Sequence, residues 1–288
     1  MAPRAGSLLK AMSKFAYFGT PYVATDTLAI LLERGFIPAV VVSSPDARKG
    51  RGMELTPSSL SEFALEHELP LLRPESLDAE AIAAIREYDC DYAIVVAYGK
   101  IFPESLIDAF PKGVLNIHNS LLPKYRGASP VEGALLNGET VTGVTVQKMV
   151  KELDAGDVLA QKEVAIESQE TTRELRPRLI REGAELLADI LPAFAEGALT
   201  GVPQQHEAAT FSGKIAKEEG LLDLAGDARI NWNKYRAYAE SPGTYFYADK
   251  GGKKMRVKIK TARYEDNAFV PDRIVPEGKK EMGYTDSK

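Results

Sequence analysis

A chain of 288 residues, 44% hydrophobic and 27% charged, has the length and composition of a soluble globular protein with room for two domains, one of them small. Its formal net charge of −5 opposes polyanions in bulk, so any nucleic-acid contact has to use local basic patches. The one cysteine, Cys90, excludes an intrachain disulfide and a cysteine-rich zinc site, and no apolar run approaches the ~20 residues of a membrane span.

Residues 1–13 are basic and lack acids, and their apolar stretch is too short for a secretory signal; they read as a disordered or misassigned start. KFAYFGT (14–20) predicts a strand ending in glycine, VATDTLAILLERG (23–35) a helix with a glycine stop, and AVVVSS (39–44) a β-branched strand. A polar segment, PDARKGRGMELTPSS (45–59), precedes a helical SLSEFALEHE and a short extended LPLLRP. A helix around 78–87, a strand in DYAIVVAYG (91–99), a helix near 103–109 and a strand from 113 follow. TGVTVQKM (142–149) and DVLAQKEVAI (157–166) add strands, and residues 171–196 form one long helix. Near-continuous apolar strands alternating with helices indicate an α/β fold, a doubly wound, mostly parallel sheet covered on both faces. From about residue 204 the texture changes: aromatic alternation in GTYFYADKGGKKMRVKIKTARYE (243–265), turning at Asp249-Lys250-Gly251-Gly252, predicts a hairpin. Residues 14–203 are therefore assigned to the α/β domain, and 204–288 to a linker and a small C-terminal β-rich domain.

The first strand-to-helix turn, Gly19-Thr20-Pro21-Tyr22-Val23-Ala24, does not supply G-x-G-x-x-G, and neither a Walker sequence nor a G-x-S-x-G elbow occurs. Chemistry concentrates instead in GVLNIHNSLLPKYRGASP (113–130). Asn116 and His118 stand two apart on a strand and so project from one face, at a carboxyl end where ligands of α/β sheets bind. An amide and an imidazole can both donate to one developing oxyanion, and the turn Leu153-Asp154-Ala155-Gly156-Asp157 offers a carboxylate to orient the imidazole or relay protons. That set suits acyl transfer by direct attack of an amine. On spacing alone, a strand-terminal histidine is more often a capped or hydrogen-bonded structural residue.

NIHNSLLPKYRG followed by TGVTVQKMVKELDAGDVL resembles the folate-dependent formyltransferase family, whose pattern is Asn-x-His, then Ser-Leu-Leu-Pro, then Asp-x-Gly. The resemblance runs over roughly residues 14–200. It implies a Rossmann-like formyltransferase fold, 10-formyltetrahydrofolate as formyl donor, and Asn116, His118 and Asp154 as the catalytic set. It further implies a folate wall formed by Ser120, Leu121, Leu122 and Pro123, with the backbone of Ala97, Tyr98 and Gly99 opposite, and no metal.

The family divides by acceptor. SSPDARKGRGMELTPSS (43–59) resembles the loop with which methionyl-tRNA formyltransferases enter the tRNA acceptor stem, which makes Arg48, Lys49 and Arg51 the implied tRNA contacts. TFSGKIAKEEGLLDL (210–224), SPGTYFY and VPEGKKEM resemble the linker and a compact OB-like C-terminal domain of the same enzymes, here shorter than is usual for them. Lys254, Arg256, Lys258 and Lys260 would give that domain a basic face. The expectation is therefore formyl transfer to the methionine of initiator methionyl-tRNA by a cytoplasmic monomer with folate and tRNA as partners and no membrane association. The alternative is a folate-dependent amino-sugar formyltransferase, which has no use for the loop or the basic hairpin.

Overall fold

The computed structural model describes residues 13–49 and 53–285; the expected start before residue 13 and Arg51 lie outside them. Two compact units share the chain discontinuously. One takes the residues up to His118 with Thr145–Gln161 and Ile180–Gln204, and the other takes Asn119–Val144, Lys162–Leu179 and the residues from Gln205 on.

The first unit is built on a sheet whose central strands, β1 (Phe15–Gly19) and β6 (Tyr92–Val96), are apolar throughout. All five residues of each are buried, as parallel strands covered on both faces must be. The sheet order among the described residues is β5 (Leu71–Leu72), β2 (Val40–Val42), β1, β6, β7 (Gly113–His118), β8 (Val141–Lys148) and β9 (Val158–Ala165). The first five are parallel and β8 runs antiparallel to β7. Side chains alternate between two cores. Phe15, Tyr17, Tyr92, Ile94 and Leu115 meet α1 (Tyr22–Glu33), α2 (Ser59–Glu66) and the later turns of α6 (Thr172–Ala195). Ala16, Phe18, Ala93, Val95 and Val114 face the other way, onto Ile82 and Ile85 of α3 (Ala79–Arg86) and Leu106 of α4 (Glu104–Ile107).

The chain runs from β1 outward through β2 to β5, then returns to the other side of β1 for β6, so strand order reverses between β1 and β6. Gly19 ends β1 at this switch point. A β-carbon there would lie 2.3 Å from the Ala24 Cβ and 2.9 Å from the Val96 carbonyl oxygen, so glycine is what lets strand, helix and neighbour converge.

The second unit contains α5 (Pro130–Leu136), α7 (Ala228–Ala237) and a sheet ordered β10 (Tyr245–Lys250), β11 (Lys253–Glu265), β12 (Ala268–Pro276) and β13 (Met282–Gly283), all antiparallel. Leu222, Phe246, Val257, Ile259 and Ile274 form its core. Along β11, Val257 and Ile259 point inward while Lys254, Lys258 and Lys260 are exposed, the alternation expected of a half-buried strand. Arg256 shares their face but lies over the Tyr245 ring at 3.7 Å, its stem half-buried.

Three features depart from the sequence reading. The polar segment at 45–59 contains a short antiparallel ladder of β3 (Ala47–Lys49) with β4 (Glu54–Thr56). The strands β12 and β13 and the helix α5 also go beyond what the patterns predicted.

Candidate active site

β7 begins in the core and becomes polar at its carboxyl end. It pairs with β8 in the register Asn116↔Gln147, Ile117↔Val146 and His118↔Thr145. Residues directly opposite in an antiparallel pair point to the same side, so Asn116, His118, Gln147 and Thr145 make one polar patch on an otherwise apolar surface. Thr145 is fully buried, Gln147 is 1% exposed and His118 is 6% exposed. Gln161 on β9 donates from Nε2 to the Thr145 hydroxyl at 2.9 Å. Burial at this level obliges each polar atom to find a partner, and the turn after β8 supplies one to His118 and one to Gln147.

That turn carries Asp154. Its Oδ2 lies 3.7 Å from Nδ1 of His118, with both side chains more than nine-tenths buried. The separation is an ion-pair contact, longer than a hydrogen bond. The other carboxylate oxygen, Oδ1, accepts from Gln147 Nε2 at 3.0 Å. Asp154 takes a left-handed backbone, φ 48°, a region that Asp enters more readily than most residues. Two residues on, Gly156 passes so close to β8 that a β-carbon would lie 1.6 Å from the Lys148 carbonyl oxygen. The Asp-x-Gly spacing thus has a physical reason: the aspartate needs the left-handed turn, and the glycine lets the chain fold flat against the strand. Gln204 closes the turn from outside, donating from Nε2 to the backbone oxygens of Asp154 at 2.9 Å and Gly156 at 2.7 Å.

With Nδ1 turned to the carboxylate, Nε2 of His118 is the ring nitrogen directed away from it. The arrangement can orient an imidazole and present it beside the Asn116 amide on one face of β7. Asn116, His118 and Asp154 are therefore brought together as the spacing suggested. Gln147, Thr145, Gln161 and Gln204 were not foreseen. The first two left a signal, two polar residues in alternation inside TGVTVQKM; Gln204, 50 residues from Asp154, left none. Among the described residues no cluster of three or more His, Cys, Asp or Glu side chains is placed to hold a metal ion.

The other sequence-identified positions fall as follows. Tyr98 and Gly99 lie just beyond β6, in the same unit and at the same end of the sheet as His118. Ala97 (φ 48°) and Gly99 (φ 80°) are both left-handed and exposed, while the ring of Tyr98 between them is driven into the core against Phe18 and Phe102. Tyr98 therefore keeps its ring in the core, and its carbonyl accepts from Thr20 Oγ1 at 3.1 Å. In the second unit, Ser120 is fully buried and donates from its hydroxyl to the Lys124 carbonyl at 2.6 Å, Leu122 is buried, and Leu121 and Pro123 are half-buried. Arg48 is exposed on β3 and donates to the Met53 carbonyl at 3.2 Å; Lys49 pairs with Glu54 through the backbone.

With this geometry in hand, likeness to known proteins is informative. The formyl transferase family pattern matches residues 14–191. The chain is 42% identical over 231 residues to the methionyl-tRNA formyltransferase of Thermotoga maritima, covering 80% of this chain and 74% of that one. It is 38% identical over 267 residues to the methionyl-tRNA formyltransferase of Parvibaculum lavamentivorans, covering 92% and 86%. Among solved structures, a 4-N formyltransferase from Francisella tularensis superposes with a TM-score of 0.66 at 20% identity, covering 88% of this chain and 99% of that one. An N-formyltransferase from Helicobacter canadensis, solved with folinic acid and dTDP-3-aminofucose, gives 0.64 at 18% identity, covering 88% and 89%. At such identities these two structures speak for the fold alone.

Proposed function

The chain belongs to the methionyl-tRNA formyltransferases, and from that membership we propose that it moves the formyl group of 10-formyltetrahydrofolate onto the amino group of methionine carried by initiator tRNA. The amine attacks the formyl carbon, forming a C–N bond as the carbonyl π electrons move onto oxygen. Asn116 Nδ2 and His118 Nε2 donate to that oxygen. Charge then returns, the bond to N10 of the folate breaks, and the proton shed by the amine ends on N10. Asp154 faces the imidazole at Nδ1 and so orients it, leaving Nε2 toward the oxygen that gains charge. The observation that carries this reading is the buried His118–Asp154 contact at 3.7 Å on the same strand end as Asn116.

The folate contacts in this reading are the backbone at Tyr98 and Gly99 and the turn Ser120, Leu121, Leu122 and Pro123. The tRNA contacts are Arg48, Lys49 and Arg51, with Lys254, Lys258 and Lys260 supplying further positive charge. The enzyme is read as a cytoplasmic monomer; no helix among the described residues is long and apolar enough to cross a membrane.

The test is incubation with 10-formyltetrahydrofolate and either methionyl-tRNA or amino-sugar nucleotides. Formylmethionyl-tRNA is the expected product. A formylated sugar in its place would overturn the choice of acceptor, and no product from either would overturn the activity.

A further inference from the structure

Two buried glutamines converge on the short segment that carries Asp154. Gln147 is 1% exposed and stands on β8 directly opposite Asn116; Gln204 is 7% exposed and reaches in from the segment after α6. A primary amide has two N–H donors. Gln204 donates to the backbone oxygens of Asp154 and Gly156, at 2.9 and 2.7 Å, with a longer 3.4 Å approach to Oε1 of Gln147. Gln147 donates to Oδ1 of Asp154 at 3.0 Å, leaving Oδ2 toward His118 at 3.7 Å.

We infer that Gln147 is a positioning residue for formyl transfer, fixing the rotation of the Asp154 carboxylate so that one oxygen faces His118, and that Gln204 holds the turn on which the carboxylate stands. The inference rests on the role proposed for Asp154. The terminal torsion of an aspartate is soft, so backbone placement alone does not decide where its oxygens point. The imidazole contact is too long to be a hydrogen bond and cannot lock the torsion by itself. The 3.0 Å bond from a nearly fully buried amide does so. A glutamine kept only to fill β8 would not need its amide on a carboxylate facing a histidine.

The test is a double-mutant cycle on the full chain with 10-formyltetrahydrofolate and methionyl-tRNA. Gln147→Met keeps length and volume but removes the donor. It should lower kcat by about tenfold to a hundredfold, the range for removing a hydrogen bond to a charged group, with KM for both substrates within roughly twofold. In an Asp154→Ala background the same change should cost less than about twofold, because what it positions is gone. Gln204→Met should show the same dependence on Asp154. If Gln147→Met does not fold, Gln147→Asn, one methylene too short to reach Oδ1, replaces it. An undiminished kcat for the Gln147 variant, or an equal loss with and without Asp154, would overturn the inference while leaving the role of Asp154 intact. An Asp154→Ala enzyme at the wild-type rate would overturn that role as well.

Discussion

The carbonyl oxygen of Lys148 occupies the space that a β-carbon at Gly156 would need, 1.6 Å from its ideal position. The obstructing atom belongs to the backbone of a sheet strand and has no rotamer by which to withdraw. Gly156→Ala should therefore push the turn off β8, carrying Asp154 away from His118. Expected are a stability loss of about 1–3 kcal/mol, as for overpacking, and a loss of kcat beyond what that destabilisation explains. Thermal unfolding and steady-state formylation check this, with Gly213→Ala, which meets nothing within 4 Å, as the neutral comparison.

Asn116 and His118 are assigned to the oxygen that gains charge, so they should act on the chemical step. Each alanine variant should lower the single-turnover formylation rate by about a hundredfold to a thousandfold, the scale of removing one oxyanion donor. Methionyl-tRNA affinity should stay within a few-fold of wild type, measured by filter binding. Equal losses in binding and rate would point to a collapsed strand end instead.

On the basic face of β11, Lys254, Lys258 and Lys260 are exposed and lie outside the core. Replacing all three by alanine should raise KM for methionyl-tRNA and leave kcat at saturation nearly unchanged. The salt dependence of binding should also flatten by roughly 0.7–0.9 in log–log slope for each phosphate no longer neutralised. Arg48→Ala and Arg51→Ala should instead weaken discrimination between initiator and other charged tRNAs, compared by kcat/KM on the two.

Cys90 is 8% exposed, and burial pushes its thiol up to about 11; Lys14 opposes that rise, and Asp89 and Asp91 add to it. Near pH 8 the reactive thiolate is therefore scarce in the folded chain. Native protein should react slowly with a thiol reagent and release about one equivalent rapidly once denatured. Fast labelling of the native state would contradict this burial.

The strands that proved legible are those whose environment is uniform. β1 and β6 sit between two layers of helix, and their unbroken apolar runs announced this, as did the apolar first half of β7. β3 and β4 gave no such signal, because Arg48, Glu54 and Leu55 all face solvent and a polar ladder looks like a loop. β12 was obscured by Pro271 and Pro276, which argue against a strand; Pro271 pairs with Ala262 beside the register shift that accommodates it. At the site, Asn116, His118 and Asp154 carried a recognisable spacing. Gln204 acts through backbone oxygens far away in sequence, and that contact follows from folding alone.

The antiparallel pairing of β7 with β8 has a kinetic corollary. Slipping it by one residue would send Gln147 and Thr145 to the opposite surface, leaving Asn116 opposite Val146 or Lys148 and His118 opposite Val144 or Val146. Such a molecule could be compact, rich in secondary structure and catalytically silent. Recovered turnover after dilution from denaturant thus counts the chains that have joined these two strands in the correct frame, which a spectroscopic signal for sheet content cannot do.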